Sequence, residues 1–509
     1  MPLARGRRPT AWKSCTVAQQ NHRAVAKLAA CVSALAAIVS CTSSGNSTQG
    51  TAASTSARAS ASAPAGSATE PAAQTTLAAT TTTVPLPHYL SGDSNYLFDQ
   101  EQLHTFEITV PEDQLAKLDE SPAAEEYVEG NLSFEGESIG PIGVRYKGSV
   151  GAFVLCTDSP NPLVPTGKKT CTKLSMKLKF DWNNSETLFF GQKKVQLHSQ
   201  NLDPTKMHER LGYYMFRAMG VPAPRSTHAR VVVNGEFLGV FALTEQIDEQ
   251  LLAANLSDGT GNLYKEVWPF DGNGDISPAD KFTAALETNK KDANNSPALI
   301  RDFATALASA PPGDEVRVLD EWVDLDLLLT TFVVDRAIKN DDGAYHWYCF
   351  SESCAPHNFY WYENPSKKEV GFIPWDLDNA FDNLGTGVSG GLTAGAIKIA
   401  DDFAVVSHDC QRFTFGSFGL SQQSAGCDRI FAALGTMNQQ YDEIRARLLA
   451  GPMSTANVEK LLQTWTEQIK PSVAQAARLH PDAESVDQWL AAVDQLRQNV
   501  EAARLSTGR

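Results

Sequence analysis

Alternation of apolar and polar positions marks the first half of the body of this chain. Phe106, Ile108 and Val110 alternate with polar residues ahead of Pro111, and Ile142-Gly143-Val144-Arg145-Tyr146-Lys147-Gly148-Ser149 runs from a strand pattern into a glycine-containing turn. In Lys173-Leu174-Ser175-Met176-Lys177-Leu178-Lys179-Phe180 the even positions are Leu, Met, Leu and Phe, while the odd ones are Lys, Ser, Lys and Lys. A side-chain period of two then puts the lysines on one face and the apolar residues on the other. Lys193-Lys194-Val195-Gln196-Leu197 predicts another short strand. The run Val231 to Leu243, broken at Asn234-Gly235, predicts a hairpin that leads into Thr244-Glu245-Gln246-Ile247-Asp248. Asp203 before Pro204 suits an N-cap and first helical position, predicting a helix from Pro204 to about Met219 that stops at Gly220, with Pro222 beyond. A sheet with one helix is therefore expected first.

The periodicity then changes. Between Glu266 and Leu319 the chain is Gly/Asp/Asn-rich and then Ala-rich, which predicts an insertion of loops and one helix. Leu325, Leu328, Leu329, Phe332 and Val333 predict a buried helix from Trp322 to Ile338, ending at Lys339-Asn340-Asp341-Asp342-Gly343. Gly385 to Gly391 reads as a loop. From Met437 onward the pattern is helical, with Val486, Leu490, Val493, Leu496 and Val500 on one face. The expected class is α+β, a β-rich first lobe followed by an α-rich second.

Composition adds a compartment. Residues 1–27 carry six Arg/Lys and no acid, and Leu28 to Ser40 is an apolar stretch too short to span a bilayer but suited to a secretory signal. Ile38-Val39-Ser40-Cys41 resembles a bacterial lipobox, which would make Cys41 an acylated first residue; simple cleavage in the Ala-rich region is the alternative. From Thr42 to about Val84 only Arg58 and Glu70 are charged, so residues 41–85 read as a disordered Ala/Ser/Thr tether. Losing the leader takes six bases from 43, leaving 37 against 59 acids, and moves the net charge from −16 to −22. Such a body does not point to a nucleic-acid partner. Six cysteines remain, and an even number in an exported chain suggests disulfides between neighbours: Cys156 with Cys171, Cys349 with Cys354, Cys410 with Cys427. Their spacing is irregular for zinc, and no histidine falls at ligand spacing around them.

The candidate chemistry is acidic. Asp342 is followed by His357-Asn358, and Gly371-Phe372-Ile373-Pro374-Trp375 opens into Asp376-Leu377-Asp378-Asn379. Two separated acidic points with an Asn ahead of the second suit a divalent metal held on phosphate oxygens. Asp376 and Asp378 alone are equally consistent with a helix cap or a Ca²⁺ site, and the lysine row with a solvated sheet face. His346 and His357 could serve hydrolysis, but no Gly-x-Ser-x-Gly elbow accompanies them. Glu209 is either a surface acid or the partner of a phosphate-binding lysine.

From about residue 100 to about 385 these residues resemble the spore-coat CotH kinases, an atypical protein-kinase family. The resemblance rests on Lys173 to Phe180, Asn201-Leu202-Asp203-Pro204, Gly239-Val240-Phe241-Ala242-Leu243-Thr244-Glu245, Gly261-Asn262-Leu263-Tyr264-Lys265, His357-Asn358-Phe359-Tyr360 and Pro374-Trp375-Asp376-Leu377-Asp378. It implies a two-lobed, protein-kinase-like domain over 86–430, with an N-lobe of about 100–265, an insertion of about 266–320, a C-lobe from 321 and C-terminal helices over 431–509. It further implies ATP with Mg²⁺ or Mn²⁺ and a Ser/Thr acceptor in an envelope or coat protein. Asp342 matches the acid that orients the substrate hydroxyl, Asn358 and Asp376 the metal ligands, and Asp378 a second metal or structural carboxylate. Lys179 or Lys177 matches the phosphate contact with Glu209 as partner, and Glu245-Gln246-Ile247 the hinge lining the adenine pocket. One departure stands out. Kinases of this type separate catalytic Asp and metal Asn by about five residues, whereas Asp342 and Asn358 are 16 apart. Cys349 and Cys354 in the gap suggest a disulfide-closed excursion that leaves both ends in place; lost catalysis is the other reading, with Asp341 as an alternative to Asp342. Because ATP is scarce outside the cytoplasm, a catalytically weak surface or assembly module is the alternative function.

Overall fold

The computed structural model describes residues 87–506 except 154–155, 162–164, 293–294, 341, 351–352, 382–409 and 416–419. The signal, Cys41, the tether, Asp341 and the Gly385–Gly391 loop lie outside the described residues. No described helix is long and apolar enough to cross a membrane.

Seven strands form the first half: β1 (His104–Thr109), β2 (Val128–Phe134), β3 (Glu137–Tyr146), β4 (Met176–Lys179), β5 (Lys194–His198), β6 (Ser226–Val233) and β7 (Glu236–Thr244). They close into a barrel in the order β1-β2-β3-β4-β5-β7-β6, where the sequence predicted a sheet without indicating closure. Closure comes from β1, which runs antiparallel to β2 and parallel to β6, with Phe106 opposite Val231. No edge is then left without a partner. The alternation seen in the sequence now has a destination. Leu174, Met176, Leu178 and Phe180 are buried with Phe106, Ile108, Val144, Leu197 and Phe241 inside the barrel, and Lys177 and Lys179 project outward. Asn234 and Gly235 supply the two positive-φ residues of the β6–β7 turn, at 49° and 85°.

The helix expected from Pro204 begins at His208 and runs to Ala218. The Asp203 carboxylate instead accepts the backbone N–H groups of Thr205 at 2.8 Å and His208 at 3.0 Å. Lys206 adopts a φ of 65°, so residues 204–207 are used by a turn. The insertion holds three helices rather than one, Ala279–Ala284, Ala298–Ala308 and Glu315–Trp322. Trp322 closes the last of these, and Asp324 caps the buried helix Leu325–Ala337 through the Leu327 N–H at 3.0 Å.

Two smaller sheets follow. The first joins β8 (Leu263–Lys265), β11 (Phe359–Asn364) and β12 (Glu369–Pro374) in the order β12-β11-β8; the second joins β9 (Trp347–Phe350), β10 (Ser353–Ala355), β13 (Phe413–Phe415) and β14 (Leu420–Gln423) in the order β10-β9-β14-β13. The C-terminal helices Asn438–Ala450, Thr455–Leu479 and Val486–Leu505 match the expected helical tail. They turn back onto the barrel side. Arg230 on β6 donates to Ser472 Oγ at 2.5 Å and Gln475 Oε1 at 2.9 Å, and Leu462, Trp465, Trp489 and Val493 share one apolar core with Leu211 and Phe216 of the His208–Ala218 helix. The three neighbouring cysteine pairs are disulfide-bonded: Cys156–Cys171, Cys349–Cys354 and Cys410–Cys427.

Candidate active site

Three pieces of chain that are distant in sequence meet at one cleft, and ordinary local structure brings them together. β11 and β12 pair antiparallel with Phe359 opposite Pro374, and the Trp375 N–H donates to the Asn358 carbonyl at 3.1 Å. Just outside this pairing Asn358 thus meets Trp375, and Asp376 is the next residue along, so that Asn358 and Asp376 line the same cleft. Both adopt left-handed backbone, with φ of 60° and 57°, a conformation that Asn and Asp tolerate better than most and that concentrates at functional sites.

Asp342 reaches the same place from the other end of the gap. The intervening chain folds into the β9–β10 hairpin, whose Cys349 and Cys354 face each other in register and are bonded. The excursion closes on itself and leaves its ends adjacent. Asn358 Nδ2 donates to the Asp342 carbonyl at 2.8 Å and to Asp342 Oδ2 at 3.0 Å. Asn379 Nδ2 adds a bond to Oδ2 at 3.2 Å, and His357 Nε2 sits 2.6 Å from Oδ1. Burial opposes charge on His357, but Asp342 outweighs it and raises the imidazole above its ordinary pKa. Gly343 is required here, because a Cβ would come within 2.4 Å of Asn340 Nδ2 and 2.7 Å of Asp335 Oδ1.

The helix His208–Ala218 docks directly on the second acidic point. A Cβ on Gly212 would meet Leu377 at 3.0 Å, so the absent side chain lets the helix approach. Tyr213 Oη accepts the Asp376 N–H at 3.2 Å, and His208 Nδ1 bonds the Asp378 carbonyl at 3.0 Å. The same helix carries Glu209, only 1 % exposed, into the cleft. Its carboxylate lies 2.8 and 2.9 Å from His198 Nδ1, and His198 Nε2 lies 2.7 Å from Lys147 Nζ. Lys147 follows β3, and Gly148, Ser149 and Gly151 beyond it line the cleft beside Asp342, Asn358, Asp376 and Asp378.

The electrostatics are those of crowded anions. Neither the Asp376 nor the Asp378 carboxylate receives a hydrogen bond from a described residue. Burial raises the Asp376 pKa and Glu209 adds to it, against Lys147; burial also raises Asp378 well above the carboxylate range, helped by Asp376, Glu209 and Asp342. Burial lowers Lys147 to about 8, although Asp376 and Glu209 favour its charge. Half-buried oxygens without donors fit a hard divalent cation. Among the described residues no group of three or more His, Cys, Asp or Glu side chains is placed to hold a metal ion by itself. Mg²⁺ takes one or two protein carboxylates and fills its octahedron with water and substrate phosphate. Asn358, Asp376 and Asp378 are the residues that could hold it.

Not every residue expected at the site lines this cleft. Lys177 lies on β4 opposite Arg145 and Gln196, its pKa pulled well below normal by burial and then by Lys147 and Arg145. Lys179 is further along the strand, its Nζ 5.8 Å from the Trp182 ring centroid. The cleft is lined instead by Lys147, just past the end of β3, and by Ser175, just before β4. Glu245 is clasped by Arg225, through Nε at 3.0 Å and Nη2 at 2.5 Å, and turns away from the cleft. His346 is buried, and burial lowers its pKa to about 3. Lys147 and His198 were missed by sequence reasoning. Lys147 had a signal, since it stands where a strand pattern meets Gly148-Ser149; His198 had none. Glu266 was missed too, and its Oε1 accepts the Asn358 N–H at 3.3 Å.

The family model described as CotH kinase protein matches residues 144–505. The inner spore coat protein H of Bacillus subtilis (strain 168) is 26 % identical over 196 residues, covering 37 % of this chain and 50 % of that protein. The inner spore coat protein H-like protein of the same organism is 21 % identical over 210 residues, covering 41 % of this chain and 59 % of the relative. The matched segments thus span little more than half the length of these relatives. With the family model extending over most of its length, from the end of β3 to the last helix, this chain belongs to the CotH family.

Proposed function

We propose that this chain is an exported, lipid-anchored atypical protein kinase that moves the γ-phosphate of ATP to a Ser or Thr hydroxyl of an envelope or coat protein. The observation that carries the reading is the meeting of Asp342, Asn358, Asp376 and Asp378 with Lys147 in one cleft. A bound Mg²⁺ or Mn²⁺ would neutralise phosphate charge there. The residues of the chain do the positioning. Lys147 contacts phosphate, and the Gly148–Gly151 segment covers it with backbone N–H groups. Asp342, held by His357, Asn358 and Asn379, orients the acceptor hydroxyl and takes its proton. The barrel corresponds to a kinase N-lobe, the part built on the Leu325–Ala337 helix and the two smaller sheets to a C-lobe. A coat or envelope acceptor is suggested by the printed names of the two relatives, which are spore-coat proteins. Export and anchoring rest on the basic, then apolar leader ending at Cys41 and on three disulfides.

Residues 86–509 incubated with γ-labelled ATP and Mg²⁺ or Mn²⁺ should transfer label to themselves or to a Ser/Thr-rich protein. Asp342→Ala should lower transfer by about 10²- to 10⁴-fold, the usual worth of a positioned proton acceptor, and Asp376→Ala should abolish it. No label and no metal-dependent nucleotide binding by the wild type would instead assign the chain a non-catalytic assembly role.

Lys147 gives a pH signature. Its charged form binds phosphate, so affinity for Mg·ATP should be full below about pH 8 and fall as pH rises through that value. Lys147→Arg, charged throughout, should lose the alkaline fall; an unchanged profile would exclude Lys147 from the phosphate site. For anchoring, Cys41→Ala should shift the full-length protein from the membrane to the soluble fraction, and continued sedimentation with membranes would contradict the lipobox.

A further inference from the structure

We propose that His198 is the positioning residue that holds Lys147 in the cleft, so that Glu209 acts on the lysine through an imidazole rather than by a direct ion pair. The inference rests on the phosphoryl-transfer reading and deepens it. An ionised carboxylate only accepts hydrogen bonds, and both Glu209 oxygens lie within 2.9 Å of His198 Nδ1. Nδ1 must therefore carry the hydrogen. In the neutral ring Nε2 is then an acceptor, and it faces the Lys147 ammonium, a donor only, at 2.7 Å. Glu209, buried in the His208–Ala218 helix, thus dictates the tautomer. The tautomer in turn supplies the lone pair that Lys147 needs.

The ring is fixed from a third side by Trp375, which it meets edge-on with centroids 5.9 Å apart and planes at 86°. Lys147 Nζ lies 5.4 Å from the centroid of the same indole. The lysine is therefore located by two contacts, Nε2 and the Trp375 face, and Trp375 immediately precedes Asp376. This ties the cation to the acidic turn that it serves. A second hydrogen, on Nε2, would set an N–H against the ammonium.

Two readouts test this, one of them independent of nucleotide. In ¹⁵N-histidine spectra of the nucleotide-free protein at neutral pH, the His198 signal, assigned by its loss in His198→Gln, should report a protonated Nδ1 and a bare Nε2. A protonated Nε2 would overturn the proposal. In binding measurements with a non-hydrolysable ATP analogue and Mg²⁺, His198→Leu, which has neither donor nor acceptor, should weaken affinity by about 10- to 100-fold, the worth of one charge-assisted hydrogen bond. His198→Gln keeps a donor for Glu209 and an acceptor for Lys147 and should restore most of it. Equal affinity in His198→Leu and wild type would overturn the proposal; a wild type that binds no analogue would sink the phosphoryl-transfer reading and leave the tautomer to decide the role of His198.

Discussion

Negative charge gathered in one half-buried cleft is the constraint that the rest of the structure serves. Burial makes charge costly on Asp376 and Asp378, Glu209 and Asp342 add to it on both, Asp376 adds to it on Asp378, and Lys147 is the cation among the cleft-lining side chains. Two unit charges about 4 Å apart repel by about 4 kcal/mol at an effective dielectric near 20. A fold keeps such a cluster only when packing elsewhere overrides it, and a divalent cation bridging phosphate relieves it. The two histidines are placed accordingly: His357 against Asp342 and His198 against Glu209 each engage one carboxylate. Among the described residues neither the Asp376 nor the Asp378 carboxylate has a hydrogen-bond donor.

The positions of these groups follow from elements that carry no chemistry. The β11–β12 register sets Asn358 against Trp375, one residue before Asp376, and the bonded β9–β10 hairpin returns the chain to Asp342. Gly212 lets the His208–Ala218 helix lie against Leu377, which brings Glu209 and Tyr213 to the same point. Trp375 joins the halves, with His198 and Lys147 on its ring from the barrel side and Asp376 next to it in the chain. The separation of 16 residues between Asp342 and Asn358 is accordingly a local excursion, and their contact survives it.

Much of this was legible in the sequence for physical reasons. The period-two pattern around Met176 and Leu178 named the inner face of a strand, Asn234-Gly235 named its turn, and neighbouring cysteines named their partners. Asp342, Asn358, Asp376 and Asp378, singled out together in the sequence, do line one cleft. Barrel closure was not legible, since it depends on β1 pairing in parallel with β6, more than a hundred residues away, and such pairing leaves no local periodicity. The cleft lysine was misplaced by one strand for a related reason: alternation identifies a face, but only register shows which strand on that face reaches the cleft. Glu245, expected to line an adenine pocket with Gln246 and Ile247, is held by Arg225, a contact invisible without the fold. The helix start moved by four residues because Asp203 satisfied a turn as readily as a cap.

The central claim is that these carboxylates converge to hold a metal-bound triphosphate. Its most direct test is Mn²⁺ binding followed by electron paramagnetic resonance, with and without a non-hydrolysable ATP analogue, in wild type and Asp376→Asn. The account predicts that the analogue tightens Mn²⁺ binding to the wild type and that the substitution removes this effect without unfolding the protein. Mn²⁺ binding that is indifferent to the analogue, or equally tight in Asp376→Asn, would contradict it.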